Sequence, residues 1–182
     1  MASDHTGLAP SPWVRRWTRL MTAGGSVLDL ACGSGRHLRW FAENGFKPTG
    51  VDRDAAALAT LSGVAEIVVA DIENGPWPLA GRRFDAVVVT NYLWRPLWPT
   101  LLGSVADGGV LVCETFAVGN ESVGKPSNPD FLLRPGELLE ACAGLRIVAF
   151  EDGFIDAPQR FVQRIAAVRE RSGGALPARY PL

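Results

Sequence analysis

Val27-Leu28-Asp29-Leu30-Ala31-Cys32-Gly33-Ser34-Gly35-Arg36-His37 decides the fold of this 182-residue chain. A short apolar run carrying an acid leads directly into a glycine pair. Beyond the glycines, Leu38, Phe41 and Ala42 recur on one helical face. Strand, glycine turn and helix together form the entrance of a nucleotide-type site. Glycine lets backbone approach a ligand where a Cβ would collide, and the helix start offers unpaired N–H groups.

Working outward, the same grammar repeats. Ser11 and Pro12 form an N-cap and first-turn pair, and Trp13, Val14, Trp17, Leu20 and Met21 follow at helical spacing with Arg15, Arg16 and Arg19 opposite. This helix reads as amphipathic, packed on the domain, and placed to cover the mouth of the site. Downstream come a second strand, Lys47 to Asp52, a helix capped by Asp54 from Ala55 to Leu61, and a third strand, Glu66 to Ala70, followed by Asp71. Phe84 to Thr90 is a continuous apolar run of the kind buried on both faces of a sheet. A proline-punctuated helix around Leu97 to Val105, an Asp107-Gly108-Gly109 turn and a fifth strand, Val110 to Phe116, complete the alternation. Short β-α connections imply a parallel sheet with right-handed crossovers.

The end of the chain reads differently. Residues 117–133 are rich in Gly, Asn, Ser and Pro and too long for a plain connection, which suggests a functional lid. Pro135 opens a short helix through Ala141. Leu145 to Asp152 and Gln159 to Arg169 are joined by too few residues for a crossover, so they form an antiparallel hairpin. The expected organisation is a leader and covering helix over 1–24, the main domain over 25–171, and a frayed tail over 172–182.

Composition narrows the function classes. Apolar residues make up 47% and charged residues 20%, a soluble globular profile, and the formal net charge of −1 offers no general affinity for nucleic acid or anionic membrane. No run approaches a membrane span, and the first residues lack the pattern of a signal peptide. Cys32, Cys113 and Cys142 form no C-x-x-C pair, which points to a reducing cytoplasm, with Cys32 and Cys113 read as small buried apolar residues. His5 and His37 are too few and too far apart for a metal site, and His37 reads as helix packing. No metal is expected. A monomer or homodimer is.

In an open α/β sheet, ligands bind outside the carboxyl ends of the strands. Asp29, Asp52 and Asp71 fall at three consecutive strand ends, Asn91 at the fourth, and Glu114 near the fifth. Asp52, 17 positions after Gly35, is where an acid can accept both hydroxyls of a ribose. A dinucleotide fold uses the same device. Here, however, the third glycine of that fingerprint falls on Leu38, and the surrounding acids suit a cationic ligand with an exocyclic amine rather than a pyrophosphate.

Residues 27–36 closely resemble the first motif of class I S-adenosylmethionine-dependent methyltransferases. Gly50-Val51-Asp52-Arg53, Ala70-Asp71-Ile72, Phe84 to Val89 followed by Asn91, and Asp107 to Leu111 resemble the motifs that follow. Gly35-Arg36-His37, Asn44-Gly45-Phe46 and Pro135 to Leu138 are similar to small tellurite-resistance-type (TehB-like) members. The resemblance implies a Rossmann-like α/β fold with a seven-stranded, mostly parallel sheet of order 3-2-1-4-5-7-6 and a C-terminal antiparallel hairpin. It also implies S-adenosylmethionine as cofactor and S-adenosylhomocysteine as product. Asp29, Ala31 and Gly33 to Gly35 then face the methionine portion, Asp52 the ribose, and Arg53, Asp71 and Ile72 the adenine. Asn91 and Tyr92 flank the methyl-transfer face.

In-line displacement from a sulfonium requires alignment and exclusion of water, and only a protonated acceptor requires a base. Candidate catalytic residues are Asn91, Tyr92 and Glu114; Glu114 reads equally as a structural pair at its strand end. The acceptor chamber is expected to be lined by Trp13, Trp17, Tyr92, Trp94, Arg95, Phe116, Asn120, Lys125 and Phe131. Thr90-Asn91-Tyr92-Leu93 lacks the Pro-Pro-aromatic motif of enzymes that methylate nucleic-acid bases, so a small-molecule acceptor is expected. The rivals are a non-catalytic cofactor-binding partner subunit and an NAD(P)-dependent oxidoreductase.

Overall fold

The computed structural model describes residues 9–171 and 178–182, so the expectations about residues 1–8 and 172–177 lie outside the described residues. Seven strands form one sheet: β1 (Ser26–Leu30), β2 (Lys47–Asp52), β3 (Glu66–Val69), β4 (Phe84–Thr90), β5 (Val105–Phe116), β6 (Arg146–Asp156) and β7 (Gln159–Val168). Their order is β3-β2-β1-β4-β5-β7-β6. β1 to β5 run parallel, and β7 pairs antiparallel with both β5 and β6. The chain reverses its direction of travel across the sheet between β1 and β4. The carboxyl ends of those two strands therefore border the crevice where such sheets bind ligands.

The helices are α1 (Pro12–Trp17), α2 (Arg36–Glu43), α3 (Ala55–Ala59), α4 (Trp98–Gly103) and α5 (Glu137–Ala141). Alternation along β4 shows how they cover the sheet. Ala86 and Val88 pack with Trp13, Val14, Trp17 and Phe41 on one face. Val87 and Val89 pack with Leu97, Leu101 and Leu138 on the other. Ser11 caps α1 as its sequence indicates, with its side chain accepting from the Trp13 and Val14 amides, and Asp54 caps α3 in the same way.

Several boundaries differ from expectation, and pairing accounts for the start of β5, the hairpin turn and the path of the 117–133 segment. β5 begins at Val105, and Asp107-Gly108-Gly109 lies inside the strand. The Gly108 N–H donates to Arg169 O, the Arg169 N–H donates to Gly109 O, and the pairing with β4 shifts register between Phe84 and Ala86. The hairpin turn is shorter than Gly153 to Pro158, because Phe154 pairs across from Phe161 and their rings lie 4.9 Å apart. The 117–133 segment doubles back on itself: Ala117 bridges Leu133, and short 3-10 turns occupy Asn120–Ser122 and Pro129–Phe131.

Candidate active site

A cavity of about 370 Å³ opens at the carboxyl ends of the parallel strands. Ala31, from the turn after β1, Asp52 at the end of β2 and Arg53 after it, and Ala70, Asp71, Ile72 and Glu73 after β3 form one side. Asn91, Tyr92 and Leu93 after β4, Thr115 and Phe116 from β5, and Pro126 and Phe131 from the doubled loop form the other. Asp52, Asp71 and Glu73 outnumber the single lining cation, Arg53, so the cavity favours a positively charged ligand.

The glycine turn is tied to the second strand. Asp52 accepts from the Gly33 N–H at 2.8 Å through one carboxylate oxygen and from the Asp54 N–H at 2.9 Å through the other. Each oxygen retains a lone pair for a ligand. Gly35 has φ +75°, and a Cβ there would sit 2.5 Å from the Leu61 methyl groups, so both conformation and space require glycine. Ala31 (φ 50°) and Asn91 (φ 54°) also have left-handed backbone while lining the cavity. For alanine that conformation costs roughly 1–2 kcal/mol, and such strain concentrates where a ligand is held.

Asp71 braces its own loop, accepting from the Glu73 and Asn74 amides and the Asn74 side chain. The Asn74 side-chain bond first, then those amide bonds and the nearby Arg53, hold its carboxyl below the usual range. Tyr92 donates to Glu73 at 3.2 Å across the cavity. Burial, then the Glu73 charge and hydrogen bond, push the phenol well above its ordinary value, so Tyr92 is a donor at neutral pH. Asp29 lies beneath the turn, 1% exposed.

Several expected residues lie elsewhere. Trp13 and Trp17 are core, 2% and 0% exposed, with the Trp13 indole N–H donating to Ile165 O; the amphipathic face points at the sheet rather than at the cavity. Glu114 is 1% exposed and faces α1, accepting from the Ser11 hydroxyl and bound by Arg164 at 3.1 Å and Arg160 at 3.6 Å. Strand alternation sends its neighbour Thr115 into the cavity instead. Arg95 is spent on Glu137 and on the Asp130 and Leu132 carbonyls. Asn120 is buried, donating to Pro126 O and accepting from the Phe161 N–H. Lys125 is exposed, and neither it nor Trp94 lines the cavity. Sequence reasoning missed Ala70, Glu73, Leu93, Thr115 and Pro126 as lining. The only available signal for Glu73 was its place two positions past the acid of the third strand.

All three cysteines are free and buried. Burial is the main cause pushing up the thiols of Cys32, Cys113 and Cys142, the last to about 12, so none is a poised nucleophile at neutral pH. Among the described residues, no group of three or more His, Cys, Asp or Glu is placed to hold a metal ion, and no helix is long and apolar enough to cross a membrane.

A family model described as a methyltransferase domain matches residues 27–107. No curated protein sequence matches the chain. Among solved structures, TehB from Haemophilus influenzae aligns over 93% of this chain and 65% of its own, with TM-score 0.74 and 18% identity. This chain thus spans less than two thirds of that protein. A TehB-like SAM-dependent methyltransferase from Corynebacterium glutamicum aligns over 89% of each chain, with TM-score 0.66 and 18% identity. The glycopeptide N-methyltransferase MtfA, complexed with S-adenosyl-L-homocysteine, aligns over 85% of this chain and 86% of its own, with TM-score 0.60 and 18% identity. Residues 27–107 thus match a methyltransferase domain, and the sheet around them has the fold of class I S-adenosylmethionine-dependent methyltransferases, resembling the TehB-like proteins among them.

Proposed function

We propose that this protein is an S-adenosylmethionine-dependent methyltransferase that delivers the methyl group in line to a small-molecule acceptor. The observation that carries this reading is the lining of this cavity: the acids Asp52, Asp71 and Glu73 on one side, Asn91, Tyr92, Phe116 and Phe131 on the other. When bound, S-adenosylmethionine supplies a methyl already activated on a sulfonium. The residues present fit that group. Asp29, buried with neither carboxylate oxygen hydrogen-bonded among the described residues, holds the ammonium. Asp52 takes the ribose hydroxyls, and Asp71 with the Ile72 N–H borders the adenine. Leu93, Phe116, Pro126 and Phe131 exclude water and press the acceptor toward the methyl.

The lining includes no lysine, histidine or cysteine, and its Glu73 is engaged by Tyr92. An acceptor that is nucleophilic without losing a proton to the protein therefore suits the cavity best. The acids of the cavity oppose a dinucleotide pyrophosphate, and a net charge of −1 favours a small acceptor over nucleic acid or membrane. Three free cysteines fit a reducing cytoplasm. The test is incubation of purified protein with S-adenosylmethionine and a panel of thiol, amine, hydroxyl and chalcogen acceptors, with S-adenosylhomocysteine measured by mass spectrometry. Acceptor-dependent product is expected. Saturable cofactor binding with no product across the panel would instead mark a non-catalytic partner subunit.

A further inference from the structure

A buried polar chain runs from the floor of the glycine turn to the N-terminal segment, and the reaction above uses only its first member. Asp29 is 1% exposed and has no hydrogen bond on either carboxylate oxygen among the described residues. His37, also 1% exposed, places Nδ1 3.6 Å from Asp29 Oδ2. Its Nε2 accepts the backbone N–H of Ser11 at 3.1 Å. A ring nitrogen that accepts carries no proton, so the imidazole is the Nδ1–H tautomer, with its proton toward Asp29. Ser11 in turn caps α1 with Oγ and donates to Glu114 at 3.0 Å, while Arg36 Nη1 lies 3.5 Å from Ala9 O. The segment Ala9 to Ser11 therefore crosses the start of α2, beside the glycine turn.

We propose that His37 is a positioning residue that couples seating of a cation at Asp29 to docking of the Ala9–Ser11 segment and the first turn of α1. The proposal rests on the methyltransferase reading, in which that cation is the cofactor's ammonium. At 3.6 Å the His37–Asp29 contact is longer than a hydrogen bond, so the ring is held chiefly from the Ser11 side. A cation at Asp29 fixes the carboxylate, which then orients the Nδ1–H and with it the Nε2 lone pair aimed at Ser11. Linkage is reciprocal: a docked segment strengthens cofactor binding by the same factor.

The test is amide hydrogen–deuterium exchange on the full chain with and without S-adenosylmethionine, beside calorimetric affinities. The variants are His37→Asn, whose amide falls near Nδ1 and faces only Asp29, and His37→Gln, whose amide falls near Nε2 and reaches only Ser11. In wild type, cofactor should slow exchange at residues 52–54 and at 9–17. Both variants should bind about tenfold more weakly. At saturation they should still protect 52–54 yet lose the cofactor-dependent protection at 9–17. A purely structural role for His37 would change exchange at 9–17 equally with and without cofactor. That result, or wild type protecting 52–54 alone, overturns the proposal and leaves the methyltransferase reading standing. Wild type that neither binds nor gains protection anywhere removes both.

Discussion

Arg95→Met removes the clamp that holds the 117–133 loop over the cavity. The guanidinium donates to the two Glu137 carboxylate oxygens at 2.6 and 3.0 Å, and to the carbonyls of Asp130 and Leu132 at 2.7 and 2.8 Å. The Glu137 side chain is 7% exposed and that of Arg95 35%. Hydrogen bonds to charged groups contribute about 1.5–3 kcal/mol each. They do not add here, because the guanidinium is partly screened by water and Arg134 still holds Glu137. The expected loss is about 3 kcal/mol, the low end for breaking a buried pair. For a domain of this size that lowers Tm by about 6–12 °C. Scanning calorimetry of the single variant should show this drop. Arg95→Met/Glu137→Gln should melt no lower than the single variant, since the carboxylate that has lost its main partner is then neutral. Because Pro126 and Phe131 belong to the clamped loop, acceptor KM should rise more than cofactor Kd. A single variant melting within about 2 °C of wild type would refute the clamp.

Three further outcomes are expected. Asp52→Ala removes the carboxylate that anchors the Gly33 N–H and to which the proposed function gives the ribose hydroxyls, and should weaken S-adenosylmethionine binding by about 1.5–3 kcal/mol in calorimetry while the variant remains folded. Burial alone would raise the Glu137 carboxyl, but bonds from Arg95 and Arg134 outweigh it and hold the group at about 2, below the ordinary 4.5. Its folded value is the depressed one, so its contribution is complete above pH 4.5 and is lost as pH falls from there toward about 2. Tm-against-pH curves should show this acid loss in wild type and a shallower one in Glu137→Gln. Trp17→Ala should cost about 3–5 kcal/mol in urea unfolding, the range for emptying a fully buried indole site. Acceptor preference should not change in that variant, since Trp17 is core rather than cavity wall.

The parallel half of the sheet was legible because its signals are local. β1 and β4 are largely apolar runs, β2 ends at Asp52, and Gly33 and Gly35 mark a turn in which both glycines adopt positive φ. Of the residues picked out at strand ends, Asp52, Asp71 and Asn91 line the cavity, and Ala31, Arg53 and Ile72, which the methyltransferase resemblance implies, line it too; Asp29, Gly33 and Gly35 are not among its lining residues. The acceptor side was harder, because its side chains meet through tertiary pairings that leave no periodic trace. Glu114 draws attention as the one acid of the expected strand Val110 to Phe116, yet the register of β5 turns it toward α1 and gives the cavity Thr115. Arg95 looks available for a substrate until the folded loop brings the Asp130 and Leu132 carbonyls to it. His37 does pack on its helix, as its spacing indicates. Its bond to Ser11 spans 26 positions, a separation at which helical periodicity carries no information.

The central claim is that the cavity holds a sulfonium nucleoside. Its most direct test is calorimetric titration of the purified protein with S-adenosylmethionine, S-adenosylhomocysteine, NAD and NADP in parallel. One-to-one saturation by the first two, without measurable heat from either dinucleotide, is the predicted result. Saturation by a dinucleotide with none by S-adenosylmethionine would contradict it.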